Sequence, residues 1–335
     1  MKNKVNIIIP SIIISEELII CLKGINKINY KNFFVTIVLD YDNKKTIPKF
    51  KFKINKLIVG KIFMSKKRNL AAMKFKSDYI AFIDSDCYPC KNWLSESLKL
   101  FRNKSIHVVG GPNIPFNRQS YSEKITSYCK RSFFISGHLA YRKYKSKQRY
   151  CDDYLESCNL IMKKKDFLEC NGMNEKIYIG EDKFLFEDLR KKIPYFKALY
   201  SPKVFVYHKQ RKIYKFLLQR LSYGTALISY INLKHGFKGI IPAIPIFSFF
   251  IILIFFSSTL SLIVKLLSFF FIIIIINLMI YFEINKFIKK FKDKILTLIV
   301  INLSNIMHII GSLITILGLK KLFERKIYTV SRNNE

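Results

Sequence analysis

From Ile240 to Phe282 a single side chain, Lys265, carries charge. A run that apolar and that long does not fit the core of an ordinary domain, whereas about 20 apolar residues cross a bilayer as a helix. Two helices joined by a tight turn, over about 240–262 and 266–282, account for it. A further apolar run, Ile295 to Leu319, has the length of another span and holds His308, expected to pack between helices. The intervening loop carries Lys286, Lys289, Lys290, Lys292 and Lys294, and residues 320–335 form a basic tail. With that loop on the cytoplasmic side, a full third span would export the tail against the positive-inside tendency. The segment 295–319 is therefore expected either to span or to re-enter. The expectation is a multi-pass protein of the inner (cytoplasmic) membrane, with residues 1–210 on the cytoplasmic side.

Those first 210 residues alternate short apolar runs with helical patterns. Strands are expected at Val5–Ile9, Phe33–Leu39, Lys56–Val59, Tyr79–Ile83, Val108–Val109, Leu160–Met162, Ala198–Tyr200 and Val204–Tyr207. Helices are expected from Ser15, an N-cap followed by Glu16 and Glu17, to about Ile25; over Lys66–Lys76, with Leu70 and Met73 on one face; over Asn92–Phe101; in Asp166–Cys170; and over Phe184–Lys191. This alternation predicts an α/β domain with a mostly parallel sheet flanked by helices. From Asn113 to Tyr154 no period is sustained, as in a functional or mobile loop. Arg211 to Lys234 mixes bases with Phe216, Leu217, Leu218 and Leu221, so 211–239 reads as an amphipathic helix at the membrane interface, or as an ordinary packed surface helix.

The strand Tyr79–Ile83 ends in Asp84-Ser85-Asp86. Two carboxylates at the end of a buried strand are costly without a positive partner. Ligands bind at that end of an open α/β sheet. A divalent cation with oxygen ligands explains the triplet; so does a polar strand end capping the next helix.

The chain carries 58 Lys and Arg against 23 Asp and Glu, a net +35. That balance suits phosphorylated substrates, an anionic bilayer or nucleic acid, and a chain saturated in Lys, Ile, Asn and Phe also produces it. Seven cysteines show no disulfide spacing and are read as reduced thiols. Cys87 and Cys90 form a lone C-x-x-C, from which no zinc site is expected.

In this order the elements over residues 4–235 resemble glycosyltransferase family 2, whose members have a GT-A fold and often a hydrophobic C-terminal appendage. Ile7-Ile8-Ile9-Pro10-Ser11 looks like the opening strand, and Val38-Leu39-Asp40 like the strand end that meets the nucleotide base. Lys67-Arg68-Asn69-Leu70-Ala71 resembles A-R-N-x-G, whose arginine lies near the diphosphate. Asp84-Ser85-Asp86 matches D-x-D. Asn171-Gly172-Met173-Asn174-Glu175 resembles G-G-F-D-E, and Gly180-Glu181-Asp182 the G-E-D motif of the catalytic base. Val206-Tyr207-His208, with Arg211 beyond it, looks like the strand ending in histidine and followed by a base. Gln219-Arg220-Leu221-Ser222-Tyr223-Gly224 is a loose relative of Q-x-x-R-W. Ile12-Ile13, Leu39 and Tyr41 depart from the family pattern around the base, and the missing tryptophan departs from the cellulose- and hyaluronan-type processive synthases.

The resemblance implies an inverting hexosyltransferase of cell-surface polysaccharide synthesis. Its donor would be a nucleotide-sugar, expected to be a UDP-sugar, and its acceptor a glycan or lipid-linked sugar. Pro10, Ser11, Asp40, Arg68, Asp84 and Arg211 would contact the donor. Asp84, Asp86 and His208 would hold Mg²⁺ or Mn²⁺. Asp182, with Glu181 as the alternative, would be the base. A polyprenyl-phosphate sugar transferase is a second reading, and an inactive transferase a third. A basic membrane-anchored binder of nucleic acid or anionic lipid is another, but acidic groups gathered at strand ends repel phosphate, so no nucleic-acid partner is expected.

Overall fold

Six consecutive buried residues, Val5–Pro10, form the strand (β1) on which the sheet is built. A near-continuous apolar run suits a strand covered on both faces, and its buried Asn6 is satisfied by donating to the Ala71 carbonyl and accepting from Thr36. β2 (Phe33–Leu39) and β4 (Tyr79–Ile83) flank it in parallel, and β3 (Ile54–Ile58) extends the edge beyond β2. The computed structural model describes residues 3–177, 179–226 and 261–319. The expected span 240–262 lies almost wholly outside the described residues, and the tail 320–335 and residues 227–239 lie outside entirely.

The remaining strands are β5 (Cys87–Pro89), β6 (Val108–Gly110), β7 (Asn113–Pro115), β8 (Arg149–Tyr150), β9 (Asn159–Lys163), β10 (Ala198–Tyr200) and β11 (Val206–His208). The main sheet has the order β3-β2-β1-β4-β9-β6-β10-β8, with β9 antiparallel to both its neighbours and β8 antiparallel to β10. A small sheet, β5-β11-β7, stands apart. Helices α1 (Glu16–Ile25), α2 (Met64–Lys74), α3 (Trp93–Leu100), α4 (Tyr121–Arg131), α5 (Phe133–Ser136), α6 (Lys164–Glu169), α7 (Glu181–Lys192) and α8 (Ile213–Thr225) follow in chain order. Ser15 caps α1 as expected, its hydroxyl accepting from Leu18 N–H at 3.2 Å.

Leu70 and Met73 share a face of α2 as expected, and that face is exposed; Lys67, Arg68 and Asn69 are buried instead. The helix turns polar side chains inward because they meet carboxylates and backbone there. The stretch 113–154 is more regular than its hydrophobic pattern. It contains β7, α4, α5, a short 3₁₀ turn and β8. Ser120 and Glu123 make a full capping box for α4, a signal written in the sequence.

The chain divides into two compact units, one of residues 1–116 and 142–209, the other of 117–141 and the described residues after Lys209. The second unit contains α4, α5, α8 and two long helices, α9 (Leu262–Asn285) and α10 (Phe291–Ile316). Both long helices are apolar and long enough to cross a membrane. α10 is one unbroken helix. It buries Thr297, Ser304, Asn305, His308, Gly311 and Ser312 and exposes Ile299, Leu303, Ile306, Ile310 and Leu313. Small and polar inside with aliphatic outside is the arrangement of helices that pack in lipid. Gly224 of α8 faces Gly311 of α10: a Cβ on Gly224 would stand 3.0 Å from Gly311 Cα and closer still to the His308 carbonyl. His308 packs there as expected, its Nδ1 3.3 Å from the Arg220 carbonyl. α8 is thus packed against α10 within its own unit.

Candidate active site

β1, β2 and β4 run parallel in close register, so Pro10 and Ser11, Asp40, and Asp84 leave the sheet at one edge. β9 runs the other way, with Asn159 opposite Ile83. The residues just before it, Glu156, Ser157 and Cys158, therefore reach the same edge.

Three consecutive residues of α2 tie together the segments that build this rim. Lys67, fully buried, pairs with the buried carboxylate of Asp40 and donates to the Ser11 carbonyl. Arg68 donates to Asp84 Oδ1 at 2.8 Å and to Glu181 Oε1 at 2.9 Å. Burial alone would lower its pKa, but Asp84, Glu181 and Asp182 outweigh it and hold the guanidinium protonated. Asn69 closes a two-way bond with Met173, donating to its carbonyl and accepting from its N–H, both at 2.8 Å. Gly172, at φ 76°, allows that approach, since a Cβ would strike the Asn69 amide. The Asn171–Glu175 turn is thereby fixed ahead of Gly180, which starts α7 in the left-handed region at φ 80°.

α7 begins at Glu181, earlier than the expected Phe184, so Glu181 and Asp182 occupy its first turn. Asp182 Oδ2 accepts from Ser157 N–H at 3.1 Å. Oδ1 is buried and has no hydrogen-bond partner among the described residues. Burial first, and the neighbouring Glu181 second, push the Asp182 carboxyl well above its ordinary range, with Arg68 and Ser157 opposing. A raised carboxyl is a frequent feature of catalytic bases.

Asp84, Asp86 and His208 offer ligand atoms that lie within 4.8 Å of one another. β11 pairs antiparallel with β5, placing His208 opposite Cys87, and His208 Nε2 lies 3.3 Å from Asp86 Oδ1. Burial opposes charge on this imidazole, yet Asp86 and Cys158 hold its pKa up to about 10. Two carboxylates and an imidazole on one edge fit a divalent cation, which would displace the histidine proton. Lys209 N–H donates to the Asp86 carbonyl at 3.1 Å and its ammonium pairs with Glu17 at 2.7 Å.

Arg211 belongs to the second unit, where its carbonyl accepts from Thr126 Oγ1 at 2.6 Å. Several rim residues carried no sequence signal. Lys67 is one more lysine in a lysine-rich chain. Glu156 lies just past the stretch without periodicity; Lys143 Nζ reaches both its oxygens at 2.7 Å and Arg142 stands 3.4 Å away. Burial would raise the Glu156 carboxyl, but those two cations keep it well below the usual range.

Compared with known proteins, residues 17–238 match the model of the family described as "Glycosyltransferase like family 2". No curated protein matches the chain. Among solved structures, TarS of S. aureus is 16% identical over 76% of this chain and 44% of its own, with a TM-score of 0.46. This chain thus spans less than half of that one. A TarS structure of residues 1–349 is 12% identical, covering 94% and 92%, with a TM-score of 0.45. The mannosyltransferase PcManGT from Pyrobaculum calidifontis, in complex with GDP-Man and Mn²⁺, is 11% identical over 95% of this chain and 88% of its own, with a TM-score of 0.57. That last likeness is one of fold, and the fold is GT-A-like.

Proposed function

The chain belongs to Glycosyltransferase like family 2 and is a glycosyltransferase, and from that premise we propose that it moves a sugar, with inversion, from a nucleotide-sugar to a glycan or lipid-linked acceptor at the cytoplasmic face of the membrane. One observation carries the reading. The Arg68 guanidinium binds the first aspartate of Asp84-Ser85-Asp86 and the carboxylate beside Asp182 together. Donor-side and acceptor-side groups thereby meet in one unit.

Asp84, Asp86 and His208 would hold Mg²⁺ or Mn²⁺. When bound, the cation neutralises charge on the departing diphosphate. Arg68 fixes Asp84 and Glu181 and adds positive charge beside the leaving group. Asp182 is oriented by Ser157 N–H and keeps Oδ1 for the acceptor hydroxyl, whose proton it takes as the oxygen attacks the anomeric carbon in line. General-base assistance of this kind contributes about 10²- to 10⁴-fold. Pro10, Ser11 and Asp40 border the nucleoside end of the donor. There Lys67 cancels the Asp40 charge, which suits an uncharged base. α9 and α10 anchor the catalytic unit in the bilayer.

We take the donor as a UDP-sugar, while the fold neighbour in complex with GDP-Man makes both nucleotides necessary probes. The test is thermal unfolding of the detergent-solubilised full chain against UDP- and GDP-sugars, with Mn²⁺ or with EDTA. A ligand at 100 times its Kd stabilises by about 2.7 kcal/mol. Stabilisation by one nucleotide-sugar, only with cation and only while Asp86 is present, is the expected result. If no nucleotide-sugar stabilises the chain under any condition, the proposal is wrong.

A further inference from the structure

Beside the carboxylates lies a second set of ligand atoms with different chemistry. Cys87 directly follows Asp86, Cys158 stands one residue before β9, and His208 ends β11. Two separate pairings bring them together. β5 and β11 set His208 opposite Cys87, and β4 and β9 set Asn159 opposite Ile83, just ahead of Asp84. The Cys87 and Cys158 sulfurs and a His208 ring nitrogen all lie within 4.8 Å of one another. Cys90, the other half of the C-x-x-C, is not in the set; its Sγ lies 3.4 Å from the Lys203 carbonyl.

Two thiols and an imidazole select zinc or another thiophilic cation over magnesium or manganese. Zinc bonded at about 2.3 Å to sulfur and about 2.0 Å to nitrogen holds such donors about 3.5–3.8 Å apart. Small side-chain rotations cover the difference. Cys87 is 1% exposed and Cys158 6%, so apolar packing shields the thiols. The His208 side chain is 22% exposed and opens the set to solvent.

We propose that Cys87, Cys158 and His208 form a site for a thiophilic divalent cation of the zinc class, with water or Asp86 in the fourth position. Asp86 Oδ1 already lies 3.9 Å from Cys87 Sγ. Each thiol releases its proton to solvent as the metal–sulfur bond forms. His208 also belongs to the Asp84–Asp86 set, so filling the thiol site removes one ligand from the other cation. That inhibitory consequence rests on the glycosyltransferase reading; the binding itself does not.

The experiment uses the reduced, metal-free full chain in detergent, without a histidine tag, titrated with Co²⁺. Tetrahedral Co²⁺ bands with thiolate charge transfer are expected to saturate at one metal per chain, to vanish on adding Zn²⁺ and to survive excess Mn²⁺. Cys158→Ser and Cys87→Ser should each weaken binding by about 100-fold or more, while Cys170→Ser leaves it unchanged. X-ray absorption of the zinc-loaded wild-type chain should show two sulfurs at about 2.3 Å, which decides the matter even where a serine variant does not fold. A sulfur-free shell, or Co²⁺ bands undiminished in Cys158→Ser, overturns the site. One equivalent of Zn²⁺ should also lower sugar transfer at saturating Mn²⁺. Thiolate bands in a chain that never transfers sugar would sink the glycosyltransferase reading and leave the metal site standing.

Discussion

Arg68 donates to Asp84 Oδ1 at 2.8 Å from a guanidinium that is 3% exposed at its side chain. The same side chain reaches Glu181 at 2.9 Å. Two acidic segments far apart in sequence are therefore joined through one planar cation. A lysine in its place presents a single point charge and cannot fork to both.

Arg68→Lys should keep the fold and lower kcat/KM for the donor by at least about tenfold, the cost of about one charge-assisted hydrogen bond. Arg68→Ala should also destabilise by about 1–3 kcal/mol, because the partly exposed Asp84 and Glu181 carboxylates lose a charged hydrogen-bond partner. Denaturant unfolding of the two variants beside steady-state kinetics separates the effects.

Asp86→Ala and Asp182→Asn should each lower transfer by at least about two orders of magnitude while the protein stays folded in the membrane. Radiolabelled sugar incorporation by purified, membrane-extracted variants reads this directly. Near-wild-type transfer by Asp182→Asn would move the base to Glu181.

The raised Asp182 carboxyl makes a stability prediction of opposite sign. The folded state holds that proton more tightly than the unfolded state. Stability therefore falls as pH rises from the ordinary aspartate value of about 3.9 through the raised folded value. Asp182→Asn removes the titration, so at neutral pH the variant should melt above the wild type although its sugar transfer is lowered. The acid limb of the kcat/KM profile should lie above the ordinary carboxylate range. A limb unmoved from that range would contradict the assignment.

Gly311→Val places a side chain against the Leu221 carbonyl and Gly224 of α8. Overpacking of that kind costs about 1–3 kcal/mol or more. The expected outcome is a lower melting temperature and a broadened elution profile in detergent. Gly318→Ala is the control for space, since among the described residues nothing stands within 4 Å of its Cβ, although its φ of 73° adds backbone strain.

The buried strands were legible because a two-sided sheet demands unbroken apolar runs, and β2 and β4 begin and end where composition changes. α2 carries Leu70 and Met73 on one face, as their spacing implies, but which face turns inward is set by Lys67, Arg68 and Asn69, which are buried at a site lined with carboxylates. α4 was missed for a related reason. Its apolar side chains are few, and the capping box at Ser120 and Glu123 was the better signal. Among the candidate site residues, those in a motif could be named in advance. Lys67, Glu156 and Cys158 could not: Lys67 is set apart from the other lysines only when α2 turns it onto Asp40 and Ser11, Glu156 only when Lys143 and Arg142 fold back onto it, and Cys158 only when β9 runs antiparallel beside β4.

Residues 117–141 sit in mid-sequence yet pack with the C-terminal helices. Ile125 and Cys129 of α4 are buried in one cluster with Phe216 of α8, Ile276 and Ile280 of α9, and Val300 and Ile301 of α10. Cutting the gene after codon 210 to obtain a soluble enzyme would strip those side chains of their cover and leave a greasy flap in the middle of the product. Such a fragment should be recovered in inclusion bodies, and any workable truncation must excise the internal segment along with the tail.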